Sequence, residues 1–209
     1  VTGVQTCALP IFALAHPTMT SPFVLVTGNP NKLIEARRLA GFDFDAIALD
    51  LPEIQSLSYE EVLREKAREA WRQVMQQNPD HTQPIVVEEA GLSVAALGGF
   101  PGPLVKWMLD AAGAETIAKT AVALGNPRAT ATCLLLWTDG EQEILAEGKT
   151  EGTLVTPGRG KNGFGFDPIF LPDGETQTYG ELDGARKDAT SHRGKAWRVL
   201  LERLRGSSI

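Results

Sequence analysis

Cysteine, long apolar runs and positive charge are all scarce in this 209-residue sequence. Two cysteines, Cys7 and Cys133, are too few for a disulfide framework, so a reducing, cytoplasmic setting is expected. No segment approaches the roughly 18 apolar residues of a membrane span, so no membrane partner is expected. Lysines and arginines number 20 against 26 acidic residues, a formal net charge of -6. This balance argues against a nucleic acid polymer as partner, whereas a small anionic ligand held by local cations stays compatible with it.

Internal repeats, low-complexity segments and an interdomain linker are also absent. Hydrophobic residues make up 43% of the chain, which suits one globular domain of moderate size. The only targeting candidate, an apolar stretch at residues 7–15, lacks the positive charge that precedes it in a signal peptide. The chain does not begin with Met, and Met19 stands just before the first convincing strand. We predict a non-native or flexible leader at residues 1–18 and a single domain over residues 19–209.

The stretch from Ile85 to Trp107 offers a first candidate site. Apolar residues 85–87 predict a buried strand that ends in two adjacent carboxylates, Glu88 and Glu89, before a loop rich in glycine and proline. Two interpretations stand on this pattern: the strand reaches solvent at the carboxylates, or the carboxylates bind a hard cation. Mg²⁺ prefers one or two carboxylates together with substrate phosphates.

A second candidate site lies where a predicted strand at residues 23–26 runs into a helix. Asn29 is suited to cap that helix and Pro30 to occupy its first position, where a missing N–H costs nothing. Free N–H groups and the helix dipole favour an anion there, and Lys32 adds a positive charge. A plain turn is the alternative, because many α/β proteins contain such a junction and the Walker motif is not present.

The remaining periodicity predicts an α/β fold with a mixed sheet. Ser58 and Glu61 form a capping box for a helix over residues 59–77, and Lys66 borders the buried stripe of that helix, where a lysine usually extends to solvent. The other predicted elements are strands at residues 46–49, 130–137, 143–149 and 152–155, and helices at residues 105–110, 114–124 and from residue 196. Helices interspersed with strands, together with an antiparallel hairpin, are typical of a mixed sheet.

Four groups of motifs stand in order along residues 23–204. They are Thr27-Gly28-Asn29-x-x-Lys32-x-x-Glu35, then Glu88-Glu89 with Ala96-Leu97-Gly98-Gly99-x-Pro101-Gly102-Pro103, then Phe164-Gly165-x-Asp167-Pro168-x-Phe170, and Ser191-His192-Arg193. Together they resemble the inosine triphosphate pyrophosphatase (Ham1-like) family. The resemblance implies hydrolysis of non-canonical purine nucleoside triphosphates (ITP, dITP, XTP) to the monophosphate and pyrophosphate, which clears damaged nucleotides from the pool. It also implies an elongated mixed sheet flanked by helices, a nucleotide cleft between two lobes, and a homodimer.

The resemblance also implies roles for individual residues. Glu53, Glu88 and Glu89 would hold Mg²⁺, for which Mn²⁺ is the candidate substitute, and the acidic residues would activate water. Lys32 and Lys66 would contact the triphosphate as point charges and complete a catalytic set with Glu88 and Glu89. The residues expected to bind substrate are Thr27, Asn29, Lys32, Phe164, Gly165, Phe166, Asp167, Lys187, Ser191, His192 and Arg193.

The resemblance also implies how the base is selected, through hydrogen-bond donors that face its C6 position. Hypoxanthine and xanthine carry a carbonyl at C6 where adenine carries an amino donor, so a pocket that presents donors there leaves adenine with unpaired groups. Lys187, His192 and Arg193 match residues placed near that carbonyl, and Phe164 and Phe166 match the aromatic segment beside the base. Without the resemblance, the two phenylalanines would be interpreted as core, His192 as a helix start and Arg193 as a solvated charge.

Departures from the family pattern at three places bear on activity. The second acid of the pair is usually aspartate, and the extra methylene of Glu89 moves the carboxylate by more than about 1 Å. The following Ala90-Gly91 differs from the common Ser-Gly or Thr-Cys, and Phe166 replaces a tryptophan or tyrosine. Three outcomes are open: a rearranged active site, a weak or inactive nucleotide-binding module, or a pyrophosphatase with another base preference, as in the related Maf-like enzymes that favour pyrimidine nucleotides.

Overall fold

The computed structural model describes residues 21–206, so the predicted leader at residues 1–18 lies outside the described part of the chain. In this range the elements are β1 (Val24–Val26), α1 (Pro30–Ala40), β2 (Asp45–Ile47), α2 (Tyr59–Gln77), β3 (Ile85–Val94), β4 (Pro101–Gly102), α3 (Val105–Ala112), α4 (Ala114–Ala123), β5 (Arg128–Thr138), β6 (Glu143–Leu154), β7 (Phe170–Pro172), α5 (Gly184–Thr190) and α6 (His192–Gly206). None of the helices in this range is both long and apolar enough to cross a bilayer.

Within residues 21–206, seven strands form one sheet in the order β2-β1-β3-β5-β6-β7, with β4 paired to the outer part of β3. β1 runs parallel to both of its neighbours, whereas the other strand pairs are antiparallel. The two strands predicted at residues 143–149 and 152–155 are a single strand, β6, because β5 pairs with it almost from end to end. The prediction of a mixed sheet flanked by helices is confirmed.

Helices cover both faces of this sheet. Val86 of β3 packs among residues of α1 and α6, whereas its neighbours Ile85 and Val87 pack against α2 on the opposite face. This alternation is the period of two that any β-strand imposes on its side chains. A third group of buried residues joins α4 to the far parts of β3, β5 and β6.

The course of β3 differs from its prediction. The strand does not end at the two carboxylates but continues to Val94, because β5 pairs with every residue of it. On its other edge β1 pairs only with Ile85 and Val86 and β4 only with Leu92 and Ser93, so that edge is open from Val87 to Gly91. Glu88 and Glu89 are 5% and 8% exposed, which rules out the interpretation that they are a solvated strand end.

Candidate active site

A cavity of about 310 Å³ lies beside β3, past the point where β1 ends. It is lined by Asn29, Lys32, Glu53, Lys66, Glu89, Ala90, Pro103, Val105, Lys106, Leu109, Asp110, Phe164, Gly165, Phe166, Asp167, His192 and Arg193. Most of the predicted site residues are therefore brought together, although Thr27, Glu88, Lys187 and Ser191 are not part of the lining. The lining also includes Lys106 and Asp110 of α3, one helical turn apart, which the sequence interpretation did not include in the site.

The junction between β1 and α1 has the predicted cap. The Oδ1 atom of Asn29 accepts hydrogen bonds from the backbone N–H groups of Asn31 at 2.9 Å and Lys32 at 3.4 Å, and Pro30 is the first helical residue. Thr27 orients the turn through its Oγ1 atom, which accepts from the backbone N–H of Asn29 at 3.1 Å. The capped first turn places the side chain of Lys32 at the cavity.

The cavity contains two carboxylates that share a lysine, and we call Glu53 and Glu89 the cleft carboxylates. Lys66 Nζ donates a hydrogen bond to Glu89 Oε2 and lies 3.9 Å from Glu53 Oε1. Lys106 Nζ lies 3.8 Å from the other oxygen of Glu53. Lys66 therefore does not simply extend to solvent, as a lysine at that position usually does, but links α2 to β3.

Glu88 belongs to a different cluster on the opposite face of β3. Its two oxygens accept hydrogen bonds from Arg193 Nε at 3.0 Å and Nη2 at 2.9 Å, and Lys32 Nζ lies 3.2 Å from Oε1. Burial alone would raise the pKa of Glu88, but the positive charges of Arg193 and Lys32 outweigh it and hold that pKa well below its usual value. Glu88 is therefore an ionised, fully partnered carboxylate.

The cluster continues through a residue that the sequence interpretation did not assign to the site. Glu35 accepts hydrogen bonds from Arg193 Nη1 and, at 2.7 Å, from Lys187 Nζ. Lys187 also donates to Asp167 Oδ2 at 2.7 Å, and burial raises the pKa of Asp167. The position of Glu35 in the first motif, one turn of α1 after Lys32, was the signal that could have identified it.

Two phenylalanines and a histidine form the apolar end of the cavity. The Phe166 ring lies 5.8 Å from the ring of His192, and the Phe164 ring lies 5.2 Å from Lys187 Nζ and 5.3 Å from Arg193 Cζ. Phe164 also lines a second cavity of about 180 Å³, on which Glu35 and Lys187 lie. Lys187, predicted to lie near the base, therefore lines this second cavity and contacts the Phe164 ring, and it does not line the first cavity.

His192 is buried, with 3% of its surface exposed. Within residues 21–206 no hydrogen-bond partner is found for its buried Nδ1 atom. Burial and the neighbouring cations lower the pKa of His192 well below its usual value, so the ring is neutral at pH 7. A neutral imidazole carries one donor and one acceptor nitrogen, so the ring keeps one unused hydrogen-bonding group beside the cavity.

Ser191 serves as the cap of α6 and not as part of the cavity wall. Its Oγ atom accepts a hydrogen bond from the backbone N–H of Gly194 at 3.0 Å. The first turn of α6 also lies very close to β6, since a Cβ at Gly148 would be 2.1 Å from the carbonyl oxygen of His192. Cap and close packing together fix the turn that carries His192 and Arg193.

The three carboxylates predicted to hold a metal are not gathered into one cluster. Across residues 21–206, no group of three or more His, Cys, Asp or Glu side chains is arranged to hold a metal ion. The reason is the strand period, which directs Glu88 towards α1 and α6 and Glu89 towards α2. The cleft carboxylates, Glu53 and Glu89, do fit a Mg²⁺ ion, because this ion commonly takes one or two carboxylates and completes its shell with substrate phosphates.

Fold and cavity together define an α/β protein with a cleft that is cationic and acidic at one end and aromatic at the other, suited to an anionic ligand with a planar ring. The chain belongs to the Ham1 family, whose sequence model matches residues 23–203.

Individual relatives agree with this assignment. The chain is 38% identical over 193 residues to an inosine triphosphate pyrophosphatase of Puccinia graminis f. sp. tritici, covering 87% of this chain and 94% of the relative. Among solved structures, a HAM1 protein from Coxiella burnetii matches with a TM-score of 0.72 and 27% identity, over 90% of this chain and all (100%) of that one. A nucleoside-triphosphatase, or dITP/XTP pyrophosphatase, from Mycobacterium abscessus matches with a TM-score of 0.61 and 32% identity, over 85% and 98% of the two chains.

Proposed function

We propose that this chain hydrolyses non-canonical purine nucleoside triphosphates, such as ITP, dITP and XTP, to the nucleoside monophosphate and pyrophosphate, and so removes damaged nucleotides from the pool. The observation that carries the proposal is that one cavity holds both groups of residues. The cleft carboxylates, Lys32 and Lys66 line one end, and the aromatic end is lined by residues that include His192 and Arg193. Its family and the inosine triphosphate pyrophosphatase among its relatives support it.

The phosphates bind at the cationic end of the cavity. Lys32, Lys66 and Lys106 line this end and supply charge to the phosphate oxygens, and the capped N-terminus of α1 adds the helix dipole. The cleft carboxylates Glu53 and Glu89 would hold Mg²⁺, or Mn²⁺ in its place. When bound, the ion supplies the neutralisation of phosphate charge that cleavage of the α–β phosphoanhydride requires.

Glu89 is the candidate general base. Its carboxylate faces the cavity, whereas that of Glu88 is fully partnered on the other face of β3. Glu89 would take the proton from the attacking water, and the hydrogen bond from Lys66 fixes the position of the carboxylate for that step. Ala90, which follows it in the lining, contributes a methyl group where the common family residues contribute a hydroxyl.

The base is read at the other end of the cavity. Arg193 offers N–H donors at this end, which a C6 carbonyl accepts and which the amino group of adenine, itself a donor, leaves unpaired. The Phe164 and Phe166 rings line the same end and supply faces on which a purine can stack. Phenylalanine at position 166 keeps that stacking surface but lacks the polar edge of tryptophan or tyrosine.

A panel of nucleoside triphosphates tests the proposal. With Mg²⁺, ITP should be hydrolysed with a kcat/KM about 100-fold or more above that of ATP, because adenine leaves donors in the site unpaired. Pyrophosphate should be the first product, and chelation of the metal should abolish its release. Equal rates for ITP and ATP, or orthophosphate as the first product, would contradict the proposal. A preference for pyrimidine triphosphates would indicate a Maf-like specificity. Tight ITP binding without turnover in Mg²⁺ or Mn²⁺ would indicate a non-catalytic nucleotide-binding module.

We also propose that the chain forms a homodimer. Phe100 and Trp107 are 42% and 57% exposed and border an apolar depression together with Leu104 and Met108. Clustered large apolar side chains on a surface are typical of a protein interface. Light scattering should give twice the mass of the chain, and Trp107→Glu should shift the protein towards half that mass. A monodisperse wild-type monomer would contradict the proposal.

A further inference from the structure

Glu88 connects two residues that serve opposite ends of the cavity. It lies 3.2 Å from Lys32, which faces the phosphate end, and is bonded at 2.9 and 3.0 Å to Arg193, which faces the base end. Glu88 is buried and does not line the cavity itself. Since both of its oxygens are engaged, it is poorly placed to hold a cation or to accept a proton from water.

The contacts of Arg193 show what Glu88 does for it. Of the five N–H donors that a guanidinium carries, Nε and Nη2 each give one to Glu88 and Nη1 gives one to Glu35, which leaves one N–H on each Nη atom. Two parallel hydrogen bonds from one side of the guanidinium to one carboxylate fix its plane. The carboxylate of Glu88 therefore sets the direction in which the two remaining donors point.

At the phosphate end, the contact with Glu88 reduces the positive charge that Lys32 presents. A carboxylate 3.2 Å from Lys32 Nζ offsets part of the positive charge that this lysine presents to the cavity. Lys32 is anchored by this contact, but its attraction for a polyanion is reduced.

We propose that Glu88 is a positioning residue that orients Arg193 for base recognition and at the same time moderates the charge of Lys32. The inference rests on the proposed function and adds a residue role to it. It requires two consequences of opposite sign when the charge of Glu88 is removed: discrimination between bases weakens, and attraction for a polyphosphate strengthens. A residue that only stabilised the fold would, when replaced, weaken both.

The test compares the isosteric variant Glu88→Gln with the wild-type chain in two assays. The ratio of kcat/KM for ITP to that for ATP should fall about tenfold or more, the worth of one hydrogen bond to a charged group. The inhibition constant of inorganic tripolyphosphate, measured at fixed free Mg²⁺, should decrease by about two- to fivefold, as expected for one lost charge at a partly exposed site. Arg193→Lys, which keeps the charge but loses the fork, should lower the base ratio similarly and change tripolyphosphate inhibition by less than about twofold.

Glu60→Gln is the matched control, because it removes a surface carboxylate paired with Arg64 and lies outside the cavity lining. It should leave the base ratio and the tripolyphosphate constant unchanged, so that an effect of overall net charge is recognised.

Three results would overturn the inference. They are an unchanged base ratio in Glu88→Gln, weaker tripolyphosphate inhibition in that variant, or a raised Mg²⁺ requirement with selectivity intact, which would make Glu88 a metal ligand.

If circular dichroism shows that Glu88→Gln does not fold, Glu88→Asp provides the test, since it keeps the charge and shortens the side chain. A lowered base ratio with unchanged tripolyphosphate inhibition is expected from it, and an unchanged ratio would overturn the inference. A wild-type chain without preference for ITP would contradict the proposed function itself, whereas a preference that Glu88→Gln retains contradicts only this role of Glu88.

Discussion

Glu89→Gln is expected to reduce turnover of ITP by about 10²- to 10⁴-fold, the range of a general base. Glu89 is the carboxylate of β3 that faces the cavity, and an amide of the same shape can neither accept the proton of water nor hold a cation as a carboxylate does. The measurement is pyrophosphate release at saturating ITP and Mg²⁺. The melting temperature should change little, because glutamine fills the same space beside Lys66.

Two matched variants give this result its meaning. Glu53→Gln should weaken Mg²⁺ binding more than it weakens proton transfer, so its activity should recover partly as the Mg²⁺ concentration rises, whereas that of Glu89→Gln should not. Glu89→Asp restores the usual family residue and withdraws the carboxylate from Lys66, so substantial activity is expected. Near-wild-type turnover of Glu89→Gln would move the role of base to Glu53, the other cleft carboxylate. A loss of about 100-fold in Glu89→Asp would show that the site is adjusted to glutamate.

Lys187→Met is expected to lower the free energy of unfolding by about 3–5 kcal/mol, the cost of removing one partner from a buried ion pair. The side chain of Lys187 is 5% exposed and lies 2.7 Å from both Glu35 and Asp167. Methionine fills much of the space but leaves these two carboxylates close together without the cation between them. Urea unfolding at pH 7 measures the loss.

The pH dependence separates charge from packing in this variant. Burial raises the pKa of Asp167 in the folded wild-type chain, and loss of Lys187 should raise it further. The folded state then binds the Asp167 proton more tightly than the unfolded state, so stability falls as pH rises above the ordinary aspartate pKa of about 3.9 and towards the raised value. The deficit of Lys187→Met should therefore shrink on acidification, and adding Asp167→Asn should restore part of the stability at pH 7. An equal loss at pH 5 and pH 7, without rescue by the second change, would attribute the effect to packing alone.

Local features were predictable because neighbouring residues decide them. The side chain of Asn29 caps α1, Ser58 accepts a hydrogen bond from the backbone N–H of Glu61 at the start of α2, and α2 spans residues 59–77, all as the sequence indicates. The extent of β3 was not predictable in this way. Ala90 and Gly91 after the carboxylates are weak strand formers, and only the pairing with β5 extends the strand through them.

The candidate site shows the same difference between what neighbouring residues decide and what strand pairing decides. Its motifs, taken in order, predicted the family and most of the cavity lining, but they presented Glu88 and Glu89 as one acidic pair. Once β3 continues through them, the strand period directs the two side chains to opposite faces, so they take separate partners in α6 and α2. Their different chemistry thus follows from strand pairing, which sequence neighbours do not reveal.

By itself the sequence determined the family, the capped helices, the mixed sheet and the residue types available for phosphate and base, because these follow from motifs, periodicity and local hydrogen bonding. The tertiary structure alone decided which charges meet. The contact between Glu88 and Arg193 joins residues 105 positions apart. It exists because α6 packs on the face of β3 towards which Glu88 points, and in that buried setting each charge needs a partner of the opposite sign.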